Sequence, residues 1–156
     1  MDERLFRGKA INRDKGYHKT RYKNGDWVYG LITRLYDGRF ENLPAEMTNI
    51  NGVSGIEVDY KTFGQYTGYS DKNNREAFEG DILSHCSGLD YGVIRYGEYS
   101  SPFSIGQDIG FYVEWVSGED KNVLRKDLGY WLSAETAEIV GNIYDNPELI
   151  QEREVK

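Results

Sequence analysis

Near the middle of the chain, Ser70-Asp71-Lys72-Asn73-Asn74 interrupts two runs that contain large apolar residues, and this break constrains the fold more than any other feature. Asp and Asn tolerate positive φ and hydrogen-bond their own backbone two residues on, so the run should reverse the chain. Phe63 and Tyr66 precede it, and Phe78, Ile82 and Leu83 resume the apolar pattern after it. Glu79-Gly80-Asp81 then adds a tight corner directly before an apolar strand start. The stretch from Gly64 to Leu83 therefore reads as a junction between two small β units.

Glycine and ring content carry that reading to both ends. The 18 Gly stand against 3 Pro, which calls for many turns and many short strands. Long aliphatic runs are scarce, so the 13 Tyr, 6 Phe and 3 Trp must supply much of the core. Each large ring buries about 150–250 Å². A chain of 156 residues is one domain's worth or two compact subdomains. The division is expected near Gly68, giving an N-terminal β subdomain over residues 1–68 and a C-terminal one over residues 69–156.

Along the chain, a short strand is expected over Arg4–Ala10 and a polar loop over Asn12–Gly25, ending in the Asn24-Gly25 turn signal. Trp27–Tyr36 reads as a strand, Asp37-Gly38 as a hairpin turn, Arg39–Leu43 as the return strand and Pro44–Gly55 as a loop. Ile56, Val58 and Tyr60 alternate with charged residues, the cleanest half-buried strand pattern in the chain. Beyond the junction, strands are expected over Asp81–Cys86, Tyr91–Tyr96, Ile109–Val116, Lys121–Leu128 and Glu138–Tyr144. Ser100–Asp108 reads as a surface loop, while Ala134–Glu138 fits either a helical turn or a loop. Asn146 as N-cap, Pro147 at N1 and Glu148 in the first turn mark a short C-terminal helix.

Three blocks resemble the YopX family of phage- and prophage-encoded proteins. The first joins Phe6-Arg7-Gly8-Lys9 with Asn24-Gly25-Asp26-Trp27-Val28-Tyr29-Gly30. The second runs from Gln65-Tyr66-Thr67-Gly68 through Asp71-Lys72-Asn73 to Phe78-Glu79-Gly80-Asp81-Ile82. The third is Ile139-Val140-Gly141-Asn142-Ile143-Tyr144-Asp145-Asn146-Pro147-Glu148-Leu149. They occur in the family's order and span nearly the whole chain. Asn74 stands where the family usually turns on glycine, Ala77 replaces a larger apolar residue, and the loop from Ile11 to Lys23 is longer than in shorter relatives. The resemblance implies a β-rich fold of two barrel-like subdomains and a bacterial cytoplasm during phage carriage. It brings over no catalytic residue.

The expected fold is thus mainly β: two small β-barrel-like subdomains, the second SH3-like, with a short C-terminal helix. The SH3-like assignment rests on fold-level analogy. Such barrels bind partners through aromatics in the loop after the first strand, which singles out Tyr91, Tyr96 and Tyr99 as partner-binding candidates.

Chemistry-bearing residues are read mostly as architecture. His85-Cys86 is the one adjacent base–nucleophile pair, but neighbouring strand residues point to opposite faces, so Cys86 reads as a buried structural thiol. One Cys and 2 His are too few for a structural zinc site. Asp71, Glu76, Glu79 and Asp81 gather around the junction, where acids cap turn amides. Paired acids also suit glycosidic hydrolysis, which keeps a hydrolase as a further alternative. Glycines from Gly64 to Gly68 lack the strand-to-helix context of a phosphate cradle. No catalytic, metal or cofactor-binding residue and no cofactor is expected.

The formal net charge of −7 disfavours non-specific nucleic-acid binding, which needs clustered Lys and Arg. A basic loop over Lys15–Lys23 keeps a nucleic-acid-associated module as an alternative. No apolar run is long enough to cross a bilayer and the N-terminal stretch lacks the apolar core of a signal peptide, so a cytoplasmic protein is expected. The leading expectation is a non-enzymatic, phage-derived accessory protein that binds a host or phage protein. Homo-oligomerisation through exposed strand edges stays open.

Overall fold

Strand β1 (Phe6–Ala10) hydrogen-bonds on both sides, antiparallel to β2 (Trp27–Arg34) and to β4 (Ile56–Ser70). Between them lies β3 (Ala45–Asn49), which pairs β2 on one side and β4 on the other. The pairings β1–β2–β3–β4–β1 close into a ring, so this sheet is barrel-like. The computed structural model describes residues 5–12, 21–35, 45–85, 90–102, 105–116, 126–133 and 136–151. The chain divides into two compact units, Met1–Tyr66 and Thr67–Lys156.

The core of the first unit follows from alternation. Val28, Met47, Ile56 and Val58 are fully or almost fully buried, with Ala10 and Ala45 beside them. Burying each larger side chain contributes roughly 1.5–3 kcal/mol. Gly8 is there because a Cβ would stand 2.8 Å from the Phe63 ring and 3.3 Å from the Met47 sulfur. The β1–β4 register jumps from Arg7↔Gly64 to Lys9↔Asp59, which bulges residues 60–63 out of the ladder. Thr62 repairs part of the break: its Oγ1 accepts the Lys9 N–H at 2.8 Å and donates to the Asp59 carbonyl at 2.7 Å. Tyr60 continues the Ile56/Val58 alternation in sequence, yet the bulge leaves it 47% exposed.

Strand β3 corrects the loop expected over Pro44–Gly55. Ala45 and Met47 turn inward, and Asn51-Gly52 makes the β3–β4 turn, with the Gly52 N–H donating to the Asn49 carbonyl at 2.9 Å. The Asp37-Gly38 turn, the Arg39–Leu43 strand and most of the Ile11–Lys23 loop lie outside the described residues.

The second unit carries β5 (Glu76–Phe78), β6 (Asp81–His85), β7 (Asp90–Ser100), β8 (Gln107–Trp115) and β9 (Glu138–Asn142). β5 pairs β4 across the central turn, and the rest form a sheet in the order β8–β7–β6–β9. One face packs Leu83, Ile94, Val113, Trp115 and Ile139 against the helix α1 (Leu128–Ser133), which buries Leu128, Trp131 and Leu132. Gly92 gives room for this, since a Cβ there would meet Val113 at 2.5 Å and the Trp115 ring at 2.9 Å.

Three expectations need correction in this unit. Leu128 begins a helix rather than ending a strand; the stretch 121–125 lies outside the described residues, and Asp127 makes only an isolated bridge to Tyr112. β7 does not stop at Gly97 but runs on to Ser100. The short C-terminal helix is present as a 3-10 turn over Pro147–Leu149 with Pro147 in its first turn, but the cap is corrected: Asn146 makes no side-chain cap. Instead the Asn146 Oδ1 accepts the Asn142 N–H at 3.3 Å, while the Asn142 Oδ1 accepts the N–H groups of Tyr144 and Asp145. The chain is mainly β, with sheets that are partly barrel-like and short helical turns late in the sequence.

Candidate functional site

Two of the four junction acids, Asp71 and Asp81, hold backbone. Asp71 is 4% exposed; its Oδ1 accepts the N–H groups of Asn73 and Arg75 and its Oδ2 that of Ile139. Asp81 is 2% exposed, and its Oδ2 accepts the Phe78 N–H at 2.8 Å across the Gly80 corner. Gly80 sits at φ +90°, the left-handed region that glycine enters without penalty. Among the described residues, no group of three or more His, Cys, Asp and Glu is placed to hold a metal ion. Cys86 lies outside the described residues. His85 packs edge-on against Trp115 and Trp131 at centroid distances of 6.2 and 5.0 Å.

The three tyrosines singled out by sequence all lie on β7, not in a loop. Tyr91 stands opposite Ser84 of β6, and its carbonyl accepts the Val116 N–H at 2.9 Å. Its pairing keeps it within the four-stranded part of the sheet. Tyr96 and Tyr99 lie further on, where β7 has passed its register with β6 and, among the described residues, pairs β8 alone, from Arg95↔Tyr112 to Ser100↔Gln107. The result is a two-stranded ribbon that continues past the sheet.

The ribbon carries rings on both faces. Tyr96 pairs Phe111 directly across the strands, with T-shaped rings 5.0 Å apart. This is the face of Ile94 and Val113, so the core stripe runs outward into solvent, where Tyr96 is 54% and Ile109 69% exposed. Odd-numbered β7 residues face the other way. There Tyr99 stacks with Tyr112 at 5.4 Å and an interplanar angle of 25°. Gly97 lies opposite Gly110 between them, and two missing side chains let one ring reach the other. The structure thus brings Tyr96 and Tyr99 to one ribbon but to opposite faces, with Tyr91 nearer the sheet.

Sequence reading missed the partners of Tyr99. Asp108 stands directly across from it, and Asp127 bridges Tyr112. Burial raises the Tyr99 pKa, and the negative charges of Asp108 and Asp127, then Tyr69, raise it further. Asp108, Gly110 and Tyr112 fall at spacing two, a signal that they share a strand face. Nothing local in the sequence marks Asp127, whose place depends on a long-range bridge.

A model of the YopX protein family matches residues 17–151. No curated protein matches the chain. Among solved structures it is similar to the crystal structure of protein EF1440 from Enterococcus faecalis. That likeness has 22% identity and a TM-score of 0.47, covering 94% of this chain and 97% of the other.

Proposed function

The chain belongs to the YopX family, and on that premise we propose that it is a non-catalytic accessory protein of phage or prophage origin. It binds a host or phage protein in the bacterial cytoplasm through the β7–β8 ribbon. One observation carries the reading: where β7 leaves β6, its ring-bearing faces continue, with Tyr96 and Ile109 more than half exposed. An exposed strand edge beside apolar rings invites pairing with another chain. The binding of Asp71 and Asp81 to backbone N–H groups supports the non-catalytic part, because those oxygens are already committed to holding turns. Among the described residues, no helix is long and apolar enough to cross a membrane. The basic-loop alternative rests on Lys15–Lys23, of which residues 15–20 lie outside the described part.

The test is affinity capture from phage-carrying host cells with the wild-type chain and with a Tyr96→Ser/Ile109→Ser variant checked for folding by circular dichroism. A stoichiometric partner held by the wild type and lost by the folded variant is expected. No such partner, or one held equally by both, overturns the reading.

A further inference from the structure

We infer that Asn51 is a site of spontaneous covalent change: its side-chain amide closes onto the Gly52 nitrogen and yields aspartate and isoaspartate in the folded chain, while the matching pair Asn24-Gly25 is spared. The site lies in the first unit and is independent of the ribbon. The Gly52 nitrogen loses its proton to solvent base and attacks the Asn51 Cγ. The N–Cγ bond forms, the Cγ–Nδ2 bond breaks, and ammonia leaves with a proton taken from water, closing a cyclic imide. Water then opens the ring at either carbonyl. One opening gives aspartate; the other gives isoaspartate, whose main chain runs through the former side-chain carbon and is one methylene longer.

The closure needs a following residue without a side chain, and both Asn-Gly pairs supply one. All four residues are exposed, and nothing lies within 4 Å of the place a Cβ would take at Gly25 or Gly52. Bonding of the reacting groups separates the two pairs. The Asn24 Oδ1 accepts the Asn12 N–H at 3.1 Å, so its amide swings toward Gly25 only by giving up that bond. The Gly25 N–H donates to the Ala10 carbonyl at 2.8 Å, and the Ala10 N–H to the Asp26 carbonyl at 2.8 Å, so freeing the nitrogen unzips the end of the β1–β2 pairing. At the β3–β4 turn the Asn51 side chain has no hydrogen-bond partner among the described residues; its backbone N–H alone is held, by the Asn49 Oδ1 at 3.0 Å. The Gly52 N–H donates to the Asn49 carbonyl at 2.9 Å, a bond inside the turn that opens without disturbing a strand. Isoaspartate at position 51 lengthens the backbone between the two ends of that bond. The pairing of β3 with β4, one side of the ring in the first unit, then loses its turn.

The experiment holds the full wild-type chain in mildly alkaline buffer, folded and in concentrated urea, and follows both Asn-Gly peptides by mass spectrometry after proteolysis. Fragmentation that distinguishes aspartate from isoaspartate identifies the products. In the folded chain Asn51 is expected to convert about five- to tenfold faster than Asn24, the size of the one extra hydrogen bond on the Asn24 amide. In urea the two rates should converge. Asn24 keeping pace with Asn51 in the folded chain overturns the inference. So does an Asn51 that stays intact while the urea sample converts, or a preference for Asn51 that is as large in urea. The structural consequence is read on the isoaspartate-rich fraction, which ion exchange separates by its added negative charge. Its urea midpoint should fall below that of the parent, while Asn51→Asp, with the same charge and an ordinary backbone, should stay close to it. An unchanged midpoint, or an equal fall in Asn51→Asp, overturns the loss of the turn through backbone lengthening.

Discussion

The Oδ2 of Asp71 accepts the backbone N–H of Ile139 at 2.9 Å, tying together residues 68 positions apart in sequence. The other oxygen of the same carboxylate accepts the N–H groups of Asn73 and Arg75, each at 2.9 Å. One buried side chain therefore shapes the central turn and fixes the start of β9. Asp71→Ala leaves these amides without their acceptor and should cost about 3–5 kcal/mol, since hydrogen bonds to a charged group are the stronger kind. Asp71→Asn keeps the shape but turns one acceptor into a donor facing an N–H, and should cost about 2–3 kcal/mol. Urea unfolding midpoints measure both, and an unchanged midpoint in either variant contradicts the architectural role.

Asn74, inside that turn, has φ +60°, the one positive value outside glycine among the described residues. Its N–H donates to the Asp71 carbonyl at 3.0 Å. Asparagine is tolerated here because its short polar side chain enters the left-handed region more easily than others. Asn74→Gly should leave stability within about 0.5 kcal/mol, the easier geometry offset by a more flexible unfolded chain. Asn74→Val should lose about 1–2 kcal/mol, because a β-branched side chain is strained at positive φ. Thermal unfolding of the two variants side by side separates these outcomes.

The contrast between Asn74 and Ala45 explains how much of the fold was legible in the sequence. Asn74, Gly80 and the Asn51-Gly52 pair carry their own φ preferences, so the turns they make stand out in a single sequence. Ala45-Glu46-Met47 carries little strand propensity, and β3 is set by pairing with β2 on one side and β4 on the other. The helix at Leu128–Ser133 was equally hidden. Gly129, Tyr130 and Trp131 are middling or poor helix formers, and burial of Leu128, Trp131 and Leu132 decides the outcome. At the candidate site, the sequence singled out Tyr96 and Tyr99 but assigned them to a loop after a strand, whereas both lie on β7. Their separation onto opposite faces depended on β7 continuing straight through Gly97, and Asp127 depended on a bridge that no local pattern announces.

Gly30 and Gly25 separate two reasons for glycine. At Gly30 a Cβ would stand 2.0 Å from the Thr48 carbonyl oxygen, a backbone atom held in the β2–β3 ladder. Gly30→Ala should therefore cost about 3 kcal/mol or more, at the upper end of overpacking penalties. At Gly25, with φ +89°, no atom lies within 4 Å of that position, so only the backbone preference is lost. Gly25→Ala should cost about 1 kcal/mol. Denaturant unfolding that ranks the two the other way contradicts the ring closure described for β1 to β4.

Tyr99 should ionise later than ordinary tyrosines, and the reason is separable. Burial is the larger cause of its raised pKa, followed by the charges of Asp108 and Asp127 and then Tyr69, from an ordinary value of 10.0. Because the folded chain holds this proton more tightly than the unfolded chain, the stability linked to it is fully present below pH 10 and is lost as pH rises through the raised value. Spectrophotometric titration of tyrosinate should show a late component that Tyr99→Phe removes. Asp108→Asn should move that component down in pH without abolishing it, since burial remains. Across the same alkaline range, wild-type stability should fall more steeply than that of Tyr99→Phe. A late component that survives Tyr99→Phe, or one that Asp108→Asn fails to shift, would mean that the acid opposite the ring does not act on it.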